Sequence, residues 1–308
     1  MWMDVAFVGL GLVLLFAGGE GLVRGAVSLA ARLGVSPLMI GLTVVGFGTS
    51  MPELIVSLRA ALAGAPDIAV GNVVGSNTAN ILLILGLTAL IAPPPTRLPG
   101  LGRDLVVMLV AAFALAALAR MGSVERGAGL ALLAALAAYL AASAWLARGQ
   151  DGEAEGLAAT LSPLAALAFV GGGLLALMAG ADLLVRGASD LARAAGISEA
   201  VIGVTVVAVG TSLPELATSI VAAWRRQPEI AVGNVVGSNI FNVLAILGAT
   251  ALVSPLPIAQ SIRLIDIPVM LGASLALALL LSTGRRVPRT AGAGLLAAYV
   301  GYTAYLFI

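Results

Sequence analysis

The sequence predicts an all-α membrane protein of ten transmembrane helices in two inverted five-helix repeats, and three observations carry that prediction. The 308 residues are 60% hydrophobic and only 10% charged, with a mean hydropathy of +1.10, more apolar surface than a water-soluble core can hide. The apolar stretches recur at roughly 20 residues, the length that crosses about 30 Å of hydrocarbon as helix, and they lack the dyad alternation of a membrane β-barrel. Third, the chain matches itself. Gly41 to Ala92 lies over Gly203 to Ser254 without a gap, with 32 identities in 52 aligned positions, and every matched residue is offset by 162 (215 − 53, 238 − 76, 242 − 80). Fainter similarity pairs Glu20 and Arg24 with Asp182 and Arg186, and Asp104 with Asp266, so the duplication extends over nearly the whole chain.

Pro, Gly and Arg clusters divide the chain into spans near residues 3–30, 36–62, 68–92, 103–120 and 126–147, with five equivalents after Ser162. The expected organisation is a first five-helix repeat over 1–147, a short linker over 148–162 that includes Asp151, Glu153 and Glu155, and a second repeat over 163–308. Because five is odd, the second repeat enters the membrane from the opposite side, the architecture that places a substrate site at the midplane between repeats. The first segment lacks a positively charged start and a cleavage pattern, so it reads as a retained span. With the N-terminus outside, ten of the 16 arginines fall on the cytoplasmic side, and the positive-inside rule favours both termini outside.

Composition narrows the chemistry. There is no cysteine and no histidine, which removes disulfides, thiolate metal sites, cysteine nucleophiles and the usual zinc chemistry; no enzyme and no bound cofactor are expected. The net charge of +1 is spread without a basic block, so nucleic acid is not expected as a partner, and nothing points to an obligate protein partner. The Arg-only, Ala-rich usage suggests a prokaryotic source with a GC-rich genome, hence a prokaryotic plasma membrane.

The second span is interrupted by Gly48-Thr49-Ser50-Met51-Pro52-Glu53, and Gly210-Thr211-Ser212-Leu213-Pro214-Glu215 repeats it. A carboxylate at bilayer depth costs roughly 2.5–3.5 kcal/mol on insertion scales, and two at matched positions call for a partner. No arginine lies between Gly34 and Leu58 or between Gly196 and Ala223, so a transported cation is the natural counterion; pairing to another helix is the plainer reading, and the duplication weighs against it. Pro52 and Pro214 cannot donate a backbone hydrogen bond, which frees carbonyl oxygens near Gly46, Phe47 and Gly48 and their equivalents. Thr49 lies four residues and Ser50 three residues before Glu53, so on a helix their hydroxyls share the face of the carboxylate and each motif presents a strip of oxygens, although threonine and serine also commonly bond back to their own helix. Carboxylate, hydroxyl and carbonyl oxygens are what Ca2+ takes, about six to eight of them at about 2.3–2.6 Å, and Na+ also prefers hard oxygen. The third span adds Gly71-Asn72-Val73-Val74-Gly75-Ser76-Asn77 and Asn80, matched by Gly233 to Asn239 and Asn242. The glycines suit close helix packing; the polar face beside them, Ser76 with Asn80 and Ser238 with Asn242, is not explained by packing.

At these residues the chain resembles the sodium/calcium exchangers of the cation/calcium exchanger superfamily, prokaryotic type, whose two repeats carry G-T-S-x-P-E and G-N-x-x-G-S-N. The resemblance implies an antiporter that exchanges Na+ for Ca2+ by alternating access, with the first and sixth helices sliding as a pair. Carried over, the family's ion ligands fall on Thr49, Ser50, Glu53, Ser76 and Asn80, on Thr211, Ser212, Glu215 and Ser238, and on the carbonyls of Gly46 and Ala208. Asn242 departs from the pattern, because members of the family can carry Asp there; as a neutral candidate ligand it leaves the two glutamates supplying a charge of −2, which matches one Ca2+. The alternatives are a Ca2+/H+ exchanger of the same superfamily and, less favoured, a cation channel. The expected partners are therefore Ca2+, Na+ and membrane lipid.

Overall fold

The computed structural model describes residues 2–147, 160–196 and 208–306; the linker residues 148–159 lie outside the described set. The regular structure of the described chain is helical apart from a short ribbon, in which Ser123–Val124 pairs antiparallel with Leu256–Pro257. In chain order the helical stretches are α1 (Trp2–Leu33), α2 (Pro37–Leu62), α3 (Pro66–Ile91), α4 (Leu101–Met121), α5 (Arg126–Ala147), α6 (Pro163–Ala194), α7 (Leu213–Trp224), α8 (Pro228–Val253), α9 (Ile262–Ser282) and α10 (Arg289–Tyr305). Eight of them are long and apolar enough to cross a membrane. The described part of α7 and α10, with 12 and 17 residues, fall short of that length.

Local chemistry sets the ends. Ser36 and Ser162 cap α2 and α6 by accepting from the backbone N–H of Met39 (3.3 Å) and Ala165 (3.2 Å), each followed by a proline at the first helical position. Gly100 and Gly122, at φ 79° and 95°, bracket α4 in the left-handed region that other residues avoid. Two serines interrupt helices at matched places. Ser50 (φ −82°, ψ 5°) and Ser212 (φ −87°, ψ 6°) leave helical geometry just before Pro52 and Pro214, so Glu53 and Glu215 sit in the first turn of new 12-residue helices. There the exposed N–H groups and the helix dipole favour negative charge. The π-helical turns Asn80–Leu85 and Asn242–Leu247 also occupy matched positions, inside α3 and α8.

α1 and α6 run against each other along their length, and the contact is built from glycine. A methyl added at Gly11 would lie 2.8 Å from the Gly180 carbonyl oxygen, at Gly18 2.8 Å from that of Gly173, at Gly25 2.8 Å from that of Ala166, and at Gly187 2.6 Å from that of Asp4. Each pair of numbers sums to 191, so the helices are antiparallel, and the spacing of seven keeps one face of each in contact. Leu22, Val23, Leu177 and Val221 form the small core beside this seam, while the larger core gathers α3, α4, α8 and α9. Large apolar side chains such as Leu175, Leu264 and Leu279 point outward, as expected where lipid is the solvent.

Glu20 forms an ion pair with Arg24, and its counterpart Asp182 one with Arg186 at 3.0 Å, each at the i, i+4 spacing of a helix. Arg225, just past α7, also reaches Glu20, its Nε donating to Oε2 at 2.7 Å, a contact that no local pattern announces. The end of the linker is tied to α1, where Ser28 Oγ accepts from the backbone N–H of Leu161 at 3.0 Å and Arg32 donates to the Leu161 carbonyl.

The glycines expected to permit close packing divide. In α8 a methyl on Gly233 would lie 2.4 Å from the Leu38 carbonyl oxygen and one on Gly237 2.2 Å from that of Leu42; among the described residues Gly71 and Gly75 have no comparably close neighbour. Gly237→Ala is expected to push α8 off α2 and to cost about 1–3 kcal/mol as overpacking, read as a lower melting temperature in detergent, whereas Gly75→Ala serves as the mild comparison.

Candidate functional site

The interrupted helices α2 and α7 and the helices α3 and α8 bring the predicted polar residues together. Thr49, Ser50, Glu53, Ser76, Asn80, Ser212, Glu215, Ser238 and Asn242 are all buried; the two glutamates are each 1% exposed. Thr211 is half-buried with its hydroxyl oxygen enclosed. Ala208 opens the helical turn Ala208–Gly210 ahead of the break.

The hydroxyl and carboxylate groups are crossed between the matched motifs. Ser50 Oγ donates to Glu215 Oε1 at 3.1 Å, and Ser212 Oγ donates to Glu53 Oε1 at 3.4 Å and lies 3.5 Å from Ser76 Oγ. This corrects the expectation that each motif presents its own strip of oxygens on one helical face. The i, i+3 and i, i+4 rule needs a continuous helix, and the backbone at Ser50 and Ser212 breaks it. Thr49 takes part differently: its hydroxyl lies 3.0 Å from the Val45 carbonyl, the helical back-bond weighed above, and 3.1 Å from Asn234 Oδ1. The Gly46 carbonyl, expected to be freed, accepts from the Ser50 N–H at 3.2 Å and from Ser238 Oγ at 3.3 Å.

Around this centre lies a shell of amides that sequence reasoning left out of the site. Asn72 Nδ2 donates to the Glu53 carbonyl (3.1 Å) and to Ser57 Oγ (3.0 Å); Asn234 Nδ2 donates to the Glu215 carbonyl (3.2 Å) and to Ser219 Oγ (3.0 Å). Every member of the second set stands 162 residues after its counterpart. Asn77 and Asn239 act on the remaining pair: Asn242 Nδ2 donates to Asn77 Oδ1 at 2.9 Å, and Asn80 Nδ2 donates to Asn239 Oδ1 at 3.4 Å. These bonds fix the orientation of both amides and leave Asn80 Oδ1 and Asn242 Oδ1 without a donor among the described residues. Both residues open π-helical turns, and the turns at Asn80 and Asn242 pack against the helices that carry Glu215 and Glu53 respectively. The signal was available, since Asn72, Asn77, Asn234 and Asn239 are all part of the duplicated G-N-x-x-G-S-N.

Among the described residues, five buried oxygens at predicted site residues lack a hydrogen-bond partner: Glu53 Oε2, Glu215 Oε2, Asn80 Oδ1, Asn242 Oδ1 and Thr211 Oγ1. Buried acceptors without donors are costly, and a hard cation is the species that satisfies carboxylate, amide and hydroxyl oxygens at once. Among the described residues no three His, Cys, Asp or Glu side chains cluster. The donor set is thus two charges with neutral oxygens, which suits an ion that must leave again more than one held permanently.

Replacing Asn234 by Ala removes the amide that holds Thr49, Ser219 and the Glu215 carbonyl together. Loss of such an outer hydrogen bond typically weakens metal affinity about 10- to 100-fold, and isothermal titration of the Asn234→Ala protein with Ca2+ is expected to show a loss in that range.

Comparison with known proteins agrees with this geometry. The chain is 37% identical to CaxA of Alkalimonas amylolytica over 317 aligned positions, covering 100% of this chain and 99% of that one, and 38% identical to the inner membrane protein YrbG of Escherichia coli K12, covering 91% and 89%. A solved structure of the sodium-calcium exchanger NCX_Mj superposes with a TM-score of 0.86 at 34% identity, over 99% of both chains. The family described as sodium/calcium exchanger protein matches residues 3–145 and 165–308. On that match, with the duplicated motifs folded around one buried pair of glutamates, the chain belongs to the sodium/calcium exchanger family.

Proposed function

We propose that the protein is a secondary antiporter that exchanges Na+ for Ca2+ across the plasma membrane of a prokaryote. Its two halves, 1–147 and 163–308, joined by 148–162, are read as inverted five-helix repeats with both termini outside. The antiparallel run of α1 against α6 supports the inversion, because those helices are counterparts in the two halves. The observation that carries the functional reading is the crossed pair Ser50 to Glu215 and Ser212 to Glu53, with one oxygen of each carboxylate left unpartnered.

The proposed ion ligands are Glu53, Glu215, Thr49, Ser50, Thr211, Ser212, Ser76, Asn80, Ser238 and Asn242 with the carbonyls of Gly46 and Ala208. Two carboxylates balance one Ca2+, while the neutral hydroxyl and amide oxygens offer places for Na+ once Ca2+ has left. Sharing of the same carboxylates makes occupation by the two ions mutually exclusive, and exclusion is what couples the gradients. Alternating access then requires α1 and α6 to shift together past the site.

The test is 45Ca2+ uptake into proteoliposomes loaded with Na+ and diluted into Na+-free buffer, with pH-gradient controls. Uptake that needs internal Na+ supports the reading. Uptake driven by a proton gradient without Na+ assigns the protein to Ca2+/H+ exchange, and Ca2+ current with no counter-ion requirement assigns it to a channel.

A further inference from the structure

Away from the ion site, the seam between α4 and α9 opens at the C-terminal end of α4 into a cavity of about 480 Å3. Its walls are apolar, with Ala116 from α4 and Leu264 and Ile267 from α9, and its rim carries Arg120, Arg263 and Gln260. Leu264 is 66% exposed, so the cavity opens towards the hydrocarbon surroundings. Neither arginine takes part in a salt bridge among the described residues, and Arg263 is set apart by an Nε that is buried without a hydrogen-bond partner.

The neighbouring carboxylate does not serve them. Asp266, one turn beyond Arg263, accepts from Tyr302 at 2.6 Å. At the matched position in α4 the arrangement is closed, because Asp104 accepts both from Tyr139 (3.1 Å) and from Arg103 (2.9 Å). In α9 the arginine instead sits in the π-helical turn Ile262–Asp266 and faces the cavity. Two guanidinium groups beside a partly enclosed apolar trough form a forked donor set for a phosphate whose other end is hydrocarbon. A phospholipid combines the two, and with both termini outside, as proposed above, it would belong to the outer leaflet.

We propose that this cleft binds one anionic phospholipid, its phosphate held by Arg120 and Arg263, its head-group hydroxyls by Gln260, and one acyl chain along Ala116, Leu264 and Ile267. The site is separate from the ion site and does not depend on which ion drives exchange.

Native mass spectrometry of the full-length protein in detergent, supplied with phosphatidylglycerol, tests this directly. The expected result is one retained phosphatidylglycerol on the unmodified protein and on Arg59→Gln, an exposed arginine elsewhere, with retention reduced about fivefold or more in Arg120→Gln/Arg263→Gln. Arg120→Gln alone, at an exposed position, keeps the assay readable if the double variant misfolds; a drop of roughly twofold or more is required of it. Equal retention in the variants and the unmodified protein overturns the proposal. So does equal retention of phosphatidylcholine, which marks non-selective annular lipid, and so does displacement by inorganic phosphate alone, which marks a free-anion site.

Discussion

Glu53→Gln and Glu215→Gln are each expected to reduce Na+-driven 45Ca2+ uptake to about 1% of the unmodified protein or less while leaving the fold intact. The amide keeps the shape of the carboxylate and can still accept the Ser212 or Ser50 hydrogen bond. What disappears is one of two charges facing a divalent ion. At about 4 Å and an effective dielectric of about 20, a unit charge and a divalent cation attract by roughly 8 kcal/mol. Even a third of that figure, surviving desolvation and rearrangement, is about a hundredfold in affinity. Stability moves little, since removing a buried charge relieves a cost. Melting temperature measured beside uptake separates the two effects. A variant that folds and still carries more than about a tenth of the original flux would remove the glutamates from the ion site.

The second large effect is expected at the α1–α6 seam. In Gly11→Ala/Gly18→Ala/Gly25→Ala, three methyls meet carbonyl oxygens of the partner helix at 2.8 Å, well inside the usual carbon–oxygen contact. The helices have to part along their whole length, and the pair proposed to move as one body becomes two bodies loosely joined. Exchange is expected to fall by about tenfold or more, while Ca2+ affinity stays within about threefold, because none of the three glycines touches the site. Titration of the triple variant beside its flux reads both quantities; parallel loss of both would place the defect in folding instead.

How legible the molecule was in its sequence varies by feature, for physical reasons. The breaks at Pro52 and Pro214, the burial of Glu53 and Glu215 and the gathering of Ser76, Asn80, Ser238 and Asn242 followed from patterns of polarity in an apolar chain. The crossed bonding did not, because helical-face reasoning stops where the backbone leaves the helix, at Ser50 and Ser212. Asn77 and Asn239 were visible as motif members, but their task of orienting Asn242 and Asn80 depends on contacts about 160 residues apart. Gly11, Gly18 and Gly25 stand at a heptad spacing that can be read from the sequence; that their partners are Gly180, Gly173 and Ala166 requires the antiparallel register. Arg225 reaches Glu20 across 205 residues, and no local rule points to it.

The crossed hydrogen bonds also bear on how the protein is made. Ser212, the hydroxyl that serves the Glu53 carboxylate, is 159 residues further along the chain. At about 5–20 residues per second, synthesis reaches it roughly ten to thirty seconds after Glu53 leaves the ribosome. During that interval the first five helices hold an acidic group and two asparagine side chains whose partners do not yet exist. Water in the insertion machinery has to serve them until the second half arrives. A chain that stops short therefore displays its polar interior to the bilayer, which gives the cell's membrane quality control a chemical mark by which to tell the unfinished protein from the finished one.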